Sequence, residues 1–221
     1  MLKSLIYHTC SLMILIVTVL FLTACQSAYY ATMEKLGYPK RELLVDSVED
    51  ARESQEEAKE QFKSALDTFI EVINFEGGEL QEKYDNLSAE YDESKAKAEA
   101  VREHIDEVED VAEALFDEWE SELGQYSDEK LRRVSERKLA ETKSRYKQLI
   151  RAMKRAEEKI DPVLSAFQDQ VLFLKHNLNA QAVASLQDEL VTVESDIASL
   201  IEEMEASIRE ADTFIREMGE V

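Results

Sequence analysis

The 221-residue chain is poor in the residues that punctuate a fold, with 5 Gly and 2 Pro in all. β-Rich folds need many tight turns, and those turns draw on Gly and Pro for their dihedral angles. So few of them exclude a sandwich or barrel of many short strands. Cysteine is scarcer still: Cys10 and Cys25 are the only two. Histidine occurs three times, and the two beyond the first 24 residues, His104 and His176, have no His or Cys partner at the spacing of a zinc site. No Gly-x-Ser-x-Gly elbow, phosphate-binding glycine loop, His-Glu-x-x-His or EF-hand pattern occurs. With no assembled chemistry in view, neither an enzyme, a cofactor nor a resident metal is expected. Positive charge is also short, since 26 Lys and Arg face 48 Asp and Glu for a net charge of −22. Such a surface repels phosphate backbones and gains nothing from an anionic membrane, so nucleic acid is not an expected partner.

What is present is organised by position. Residues 1–24 hold one charge, Lys3, followed by the apolar stretch 11–22 (SLMILIVTVLFL) and then Leu22-Thr23-Ala24-Cys25. A short positive start and an apolar run of this length read as a secretory signal. The LTAC sequence resembles the lipobox of bacterial lipoproteins. That resemblance implies diacylglycerol on the Cys25 sulfur, cleavage after Ala24 and acylation of the new terminus, so that palmitate-type chains hold the protein to the bilayer. Each buried methylene contributes roughly 0.8 kcal/mol, and several chains together bind almost irreversibly. An uncleaved membrane helix over 5–24 is the competing reading, because about 20 residues just span a bilayer; His8 and the clustered lipobox oppose it. Gln26 and Ser27 follow the cysteine with no Asp, which by resemblance to Gram-negative sorting implies the periplasmic face of the outer membrane. Once residues 1–24 are removed, Cys25 is the single cysteine and no internal disulfide is available. The expected organisation is a signal peptide over 1–24, a lipidated terminus and tether over 25–39, and a helical domain over 40–221. The tether holds room for one short helical turn ending at Gly37, with Pro39 as a stop.

From residue 40 onward the apolar spacing is helical. Steps of four and three select Leu44, Val48, Ala51, Gln55, Ala58, Phe62, Ala65, Phe69 and Val72, and Gly77-Gly78 then interrupts them. The steps resume from Leu80 through Leu87, Ser94, Ala98, Val101, Ile105, Val108, Ala112 and Leu115 to Trp119, and a break follows around Gly124. Ser127 is placed to cap the next helix, with Asp128 and Glu129 in its first turn. That third segment carries Leu139, Leu149, Met153, Ile160, Phe167 and Leu174 in phase across Pro162, which predicts one helix kinked near the proline. Asn177 and Asn179 mark the last turn before a fourth helix along Leu186, Val193, Ile197, Met204 and Phe214. The expected fold is all-α: an elongated antiparallel four-helix coiled-coil bundle with helices near 40–73, 79–122, 128–176 and 180–218, about 50–75 Å long.

Charge supports this pairing. Residues 128–159 carry 12 Lys and Arg against 6 acids, whereas 79–122 carry 4 against 17 and 180–218 carry 2 against 10. One basic helix among acidic ones reads as interhelical complementarity, with a basic strip for an anionic ligand as the functional alternative. Carboxylates are so dense that two of them lying close says little, and the Glu-x-x-His of di-iron bundles is missing. Loose binding of Ca²⁺ or Mg²⁺ to the acidic surface is the second expectation for function.

Residues 49–52 (EDAR), 57–62 (EAKEQF), 109–119 (EDVAEALFDEW) and 171–182 (VLFLKHNLNAQA) resemble a family of gammaproteobacterial helical lipoproteins of unknown function, over most of the chain beyond the signal. The resemblance implies the helical class and the anchor and supplies no activity. The leading expectation is therefore a non-catalytic lipoprotein that projects a helical rod into the periplasm and meets another envelope protein, or a second copy of itself. Topology puts the turns near residues 74–78 and 176–179 at one end, away from the anchor. Phe75, Phe173, Lys175, His176, Asn177 and Asn179 form a candidate interaction tip there, the plainer reading being that they close the bundle end.

Overall fold

Four helices form where the four-three spacing runs, and the computed structural model describes residues 39–75, 77 and 80–219. They are α1 (Lys40–Ile73), α2 (Leu80–Glu122), α3 (Glu129–His176) and α4 (Ala180–Gly219), with one 3₁₀ turn, Leu123–Gln125, after α2. No strand occurs among the described residues. The signal segment, Cys25 and the tether up to residue 38 lie outside them, as does the suggested turn at Gly37.

Helix boundaries follow local chemistry. The Pro39 carbonyl accepts from the Glu42 and Leu43 amides, at 2.9 and 3.2 Å, so the expected stop is the N-cap of α1. Gly77 has φ +130°, a conformation closed to most L side chains, which explains why a glycine breaks the chain there. At the start of α3 the cap is Asp128 and not the expected Ser127. Its carboxylate accepts from the Lys130 and Leu131 amides at 2.7 and 3.2 Å, and a full negative charge complements the helix N-terminus better than a hydroxyl does. Helix α3 runs unbroken through Pro162, which sits on the exposed side.

Each helix packs on its two neighbours in the order α1, α2, α3, α4 and back to α1. Residue pairs across every interface rise on one helix as they fall on the other. Lys97 meets Glu57 and Lys83 meets Glu71 between α1 and α2. Lys143 meets Glu120 and Lys154 meets Glu109 between α2 and α3. Arg145 meets Glu217 and Arg155 meets Glu203 between α3 and α4, and Arg52 meets Asp212 between α1 and α4. All four contacts are therefore antiparallel, which is the up-down-up-down bundle. Four of the cations just named lie on α3 and their acids on α2 and α4, as charge complementarity requires.

The seam is dry. All nine α1 positions selected by spacing are buried, and Phe62, Phe69 and Phe167 are among the largest fully enclosed side chains. The Phe69 and Phe167 rings meet edge to face with centroids 6.2 Å apart, although their helices are diagonal in the bundle. Gln55 is the polar interruption on α1, and neither end of its amide finds a protein partner. Ser207 on adjoining α4 is equally buried and its hydroxyl is equally unpartnered.

Candidate functional site

The antiparallel order brings the 74–79 and 177–179 connections to one end, here called the tip. The other end, the base, gathers Pro39, the 123–128 connection and Gly219.

At the tip, the two asparagine side chains are already engaged. Asn177 donates its side-chain amide to the Phe173 carbonyl at 2.9 Å, and its backbone N–H reaches the Leu174 carbonyl at 3.0 Å. The Asn179 side chain accepts from the Ala182 amide at 3.0 Å, which caps α4. Both asparagines thus satisfy helix ends that would otherwise expose unpaired groups. Phe75 is half-buried, whereas Lys175 and His176 are exposed. Phe173 and Leu178 keep 39% and 38% of their surface in solvent. The tip therefore offers two separate apolar side chains, one ammonium and one imidazole.

The base is built differently, and spacing alone gave no sign of it. A cleft of about 490 Å³ opens where the start of α1, the end of α2 and the first turns of α3 converge. Trp119 and Tyr126 give it aromatic walls and Leu131 and Val134 an apolar one, while its charged lining is mixed, Arg41 and Lys138 with Glu118 and Glu122. Leu131 is 55% exposed and Tyr126 42%. The chain's single tryptophan is held in place by its indole N–H, which donates to the Ser135 hydroxyl at 2.7 Å; Tyr126 donates to the same oxygen at 3.4 Å. Arg41 reaches from α1 to donate to the Met218 carbonyl on α4 and so lines a second cleft of about 670 Å³ beside Pro39. Lys40 and Glu118 pair at 2.8 Å between the two helices.

The aromatic character continues up α3. Phe116 and Tyr146 meet edge to face at 5.4 Å, and the Lys143 ammonium lies 5.3 Å from the Phe116 ring centre. Burial pushes the Tyr146 phenol up to about 12, with the Glu109 carboxylate adding to the effect. For Lys154, burial alone would lower the ammonium, but hydrogen bonds to Glu109 and Glu157 outweigh it and hold the group above the ordinary lysine value.

This base can bind an amphipathic group through aromatic stacking and a cation. Among the described residues the Ser135 oxygen accepts from Trp119 and Tyr126, and His104 and His176 lie on other parts of the bundle. Among the described residues no group of three or more His, Cys, Asp or Glu is arranged to hold a metal ion. None of the described helices is long and apolar enough to cross a membrane. The missed signals were Trp119, read as one more seam position, and Tyr126, read as part of a break. Arg41 was invisible because its role depends on a helix nearly 180 residues away in the chain.

Comparison with known proteins places the chain by family. Residues 29–218 match a family described as a protein of unknown function, DUF2959, and the chain belongs to it. No curated protein and no solved structure matches.

Proposed function

We propose that this member of the DUF2959 family is a non-catalytic lipoprotein of the bacterial envelope, anchored through Cys25 to the periplasmic face of the outer membrane. In this reading the bundle is a rigid spacer that brings an envelope protein partner to a fixed distance from the bilayer. One observation carries it: a lipobox-like LTAC follows directly on an apolar run, and the bundle begins at Lys40, a short tether later. A buried, largely apolar seam flanked by ion pairs between helices suits a mechanical or docking role. The antiparallel order then puts the base next to the membrane and the tip away from it.

The anchor is tested by metabolic labelling. Wild type takes up radioactive palmitate and loses residues 1–24, whereas Cys25→Ala does neither. Mature protein that keeps residues 1–24 and carries no label overturns the lipoprotein reading. Capture of partners from crosslinked envelopes tests the docking role. Calorimetric titration with Ca²⁺ tests the rival role of the acidic surface as a cation binder, and saturable heat with a raised melting temperature would put that reading first.

A further inference from the structure

The outward rows of α2 and α3 carry opposite charge on adjacent helices. On α3, opposite the buried seam, steps of four and three place Arg133, Arg137, Ala140, Ser144, Lys147 and Arg151, all exposed. On α2 the same steps place Glu99, Glu103, Glu107, Asp110 and Asp117, also exposed, with half-buried Ala114 between the last two. Most of these charges are not spent inside the bundle. Among the described residues Arg137, Lys147 and Arg151 enter no ion pair, and neither do Glu99, Glu103, Asp110 and Asp117. Arg133 and Glu107 reach only neighbours on their own helices, each at 3.9 Å. Helix α4, the other neighbour of α3, carries no single sign at its outward steps: Ser195, Glu202 and Arg209 are exposed, with half-buried Ser199 and Ala206 between them.

We propose that these two rows are the halves of a self-complementary surface on which a second copy of this chain docks, the basic row of α3 against the acidic row of α2 and the reverse. The symmetry is consistent. A two-fold axis along the bundle sets α3 of one copy against α2 of the other, and because α2 and α3 are antiparallel the two rows then run in opposite directions. Both contacts are made at once, as an isologous interface requires. The same axis keeps both bases on one side, so two anchored copies would fit the same membrane. Ala140 and Ser144 leave the middle of the basic row low enough for close approach.

The net charge of −22 on each copy opposes docking, but range decides between the two effects. At about 0.15 M salt the screening length is roughly 8 Å, so the whole-molecule repulsion is largely screened while facing rows still attract. Single exposed pairs contribute little, so the interface depends on several pairs in register and is reversible. It is lost in high salt.

The test is a charge swap on the full chain in excess non-ionic detergent. One variant carries Arg133→Glu, Arg137→Glu, Lys147→Glu and Arg151→Glu; the other carries Glu99→Lys, Glu103→Lys, Asp110→Lys and Asp117→Lys. All eight positions are exposed, and circular dichroism checks that each variant stays helical. Sedimentation of wild type shows dimers at about 0.1 M salt, and the association constant falls at least about tenfold at 1 M. Each variant alone is monomeric, and an equimolar mixture regains the dimer. In a mixture of light and heavy nitrogen-labelled chains, carbodiimide crosslinking joins Lys147 of one copy to an α2 carboxylate of the other. Wild type that sediments as a monomer throughout overturns the proposal, as does a mixture of variants that fails to associate. So does a wild-type basic row that binds anionic phospholipid vesicles while forming no link between copies.

Discussion

The two ends of the bundle are closed by opposite means. At the tip, the connections are short, the asparagine side chains complete the helix ends, and Phe69 and Phe167 fill the space beneath. At the base, a 3₁₀ turn and an aspartate cap join α2 to α3, and three elements leave a cleft walled by Trp119, Tyr126 and Leu131. Closing an end with backbone hydrogen bonds uses up its polar groups, so the tip keeps few with which to recognise anything. An end closed by side chains from several helices keeps apolar surface open. The difference shows that turn residues such as Gly77, Gly124 and Asn179, which look equivalent along the chain, do not predict equivalent ends.

The largest test of that difference truncates one large apolar side chain toward each end. Phe167→Ala should lower stability by about 3–5 kcal/mol, because a fully buried aromatic leaves a cavity that diagonal helices cannot collapse to fill. Leu131→Ala, at a position 55% exposed, should change it by less than about 0.5 kcal/mol. Chemical denaturation followed by circular dichroism measures both. Comparable losses would show that the base is as tightly closed as the tip.

A second contrast concerns caps and docking. Asp128→Ala and Asn179→Ala should each cost about 1 kcal/mol, since each removes a side-chain acceptor from a helix N-terminus. The double change His176→Ala with Asn177→Ala should lower stability by a similar amount through the lost Phe173 contact. If crosslinked capture of a partner also disappears while the bundle stays folded, the tip is the docking end. Should capture instead fail with Tyr126→Ala and survive the tip change, docking belongs to the base.

These ends also mark how far the sequence could be read. Helix limits and the buried face were legible because each depends on neighbours three or four residues away. Phe62 and Ile160 could face only one way once the period was known. Charge pairing was legible at the level of whole helices, and the basic segment 128–159 does meet acids on both sides. The cap at Asp128 was misassigned by one residue, because Ser127 and Asp128 are both good caps and only backbone geometry separates them. The base cleft was not legible. It takes Arg41, Trp119 and Lys138 from three helices, and no local pattern records that convergence. Gln55 was placed correctly in the seam, yet its spacing gave no notice that its amide would find no protein partner.

A smaller effect belongs to Trp119. Trp119→Phe keeps an aromatic ring but removes the donor to Ser135, leaving a largely buried hydroxyl with a weaker partner. The expected loss is about 1 kcal/mol. Because this is the chain's one tryptophan, wild-type fluorescence reports unfolding at the base while circular dichroism reports the whole bundle. A base less tightly closed than the tip should lose its fluorescence signal at lower denaturant than the helical signal, whereas coincident transitions would mean the ends unfold together.

The smallest effect is set at Tyr146, where the aromatic cluster runs up from the base against Phe116. Burial is the main reason its phenol is pushed up to about 12; Glu109, Glu113 and Asp110 add to this, and Lys154 works against them. An unfolded tyrosine ionises near pH 10. Below about pH 10 both states keep the proton, and the native preference for the neutral phenol is present in full. Between about pH 10 and 12 the unfolded chain ionises while the native phenol does not, so stability falls as pH rises, and above the folded pKa that contribution is gone. Solvent reaches part of the ring, so the change is modest. The melting temperature of wild type should therefore fall more steeply over this window than that of Tyr146→Phe, and phenolate absorbance of wild type should show a late component that Tyr146→Phe lacks. Lys154, held above the ordinary lysine value, is common to both proteins, so its own titration is shared by them. Equal slopes would mean that water reaches the phenol freely and that the open character of the base extends up α3 as far as Tyr146.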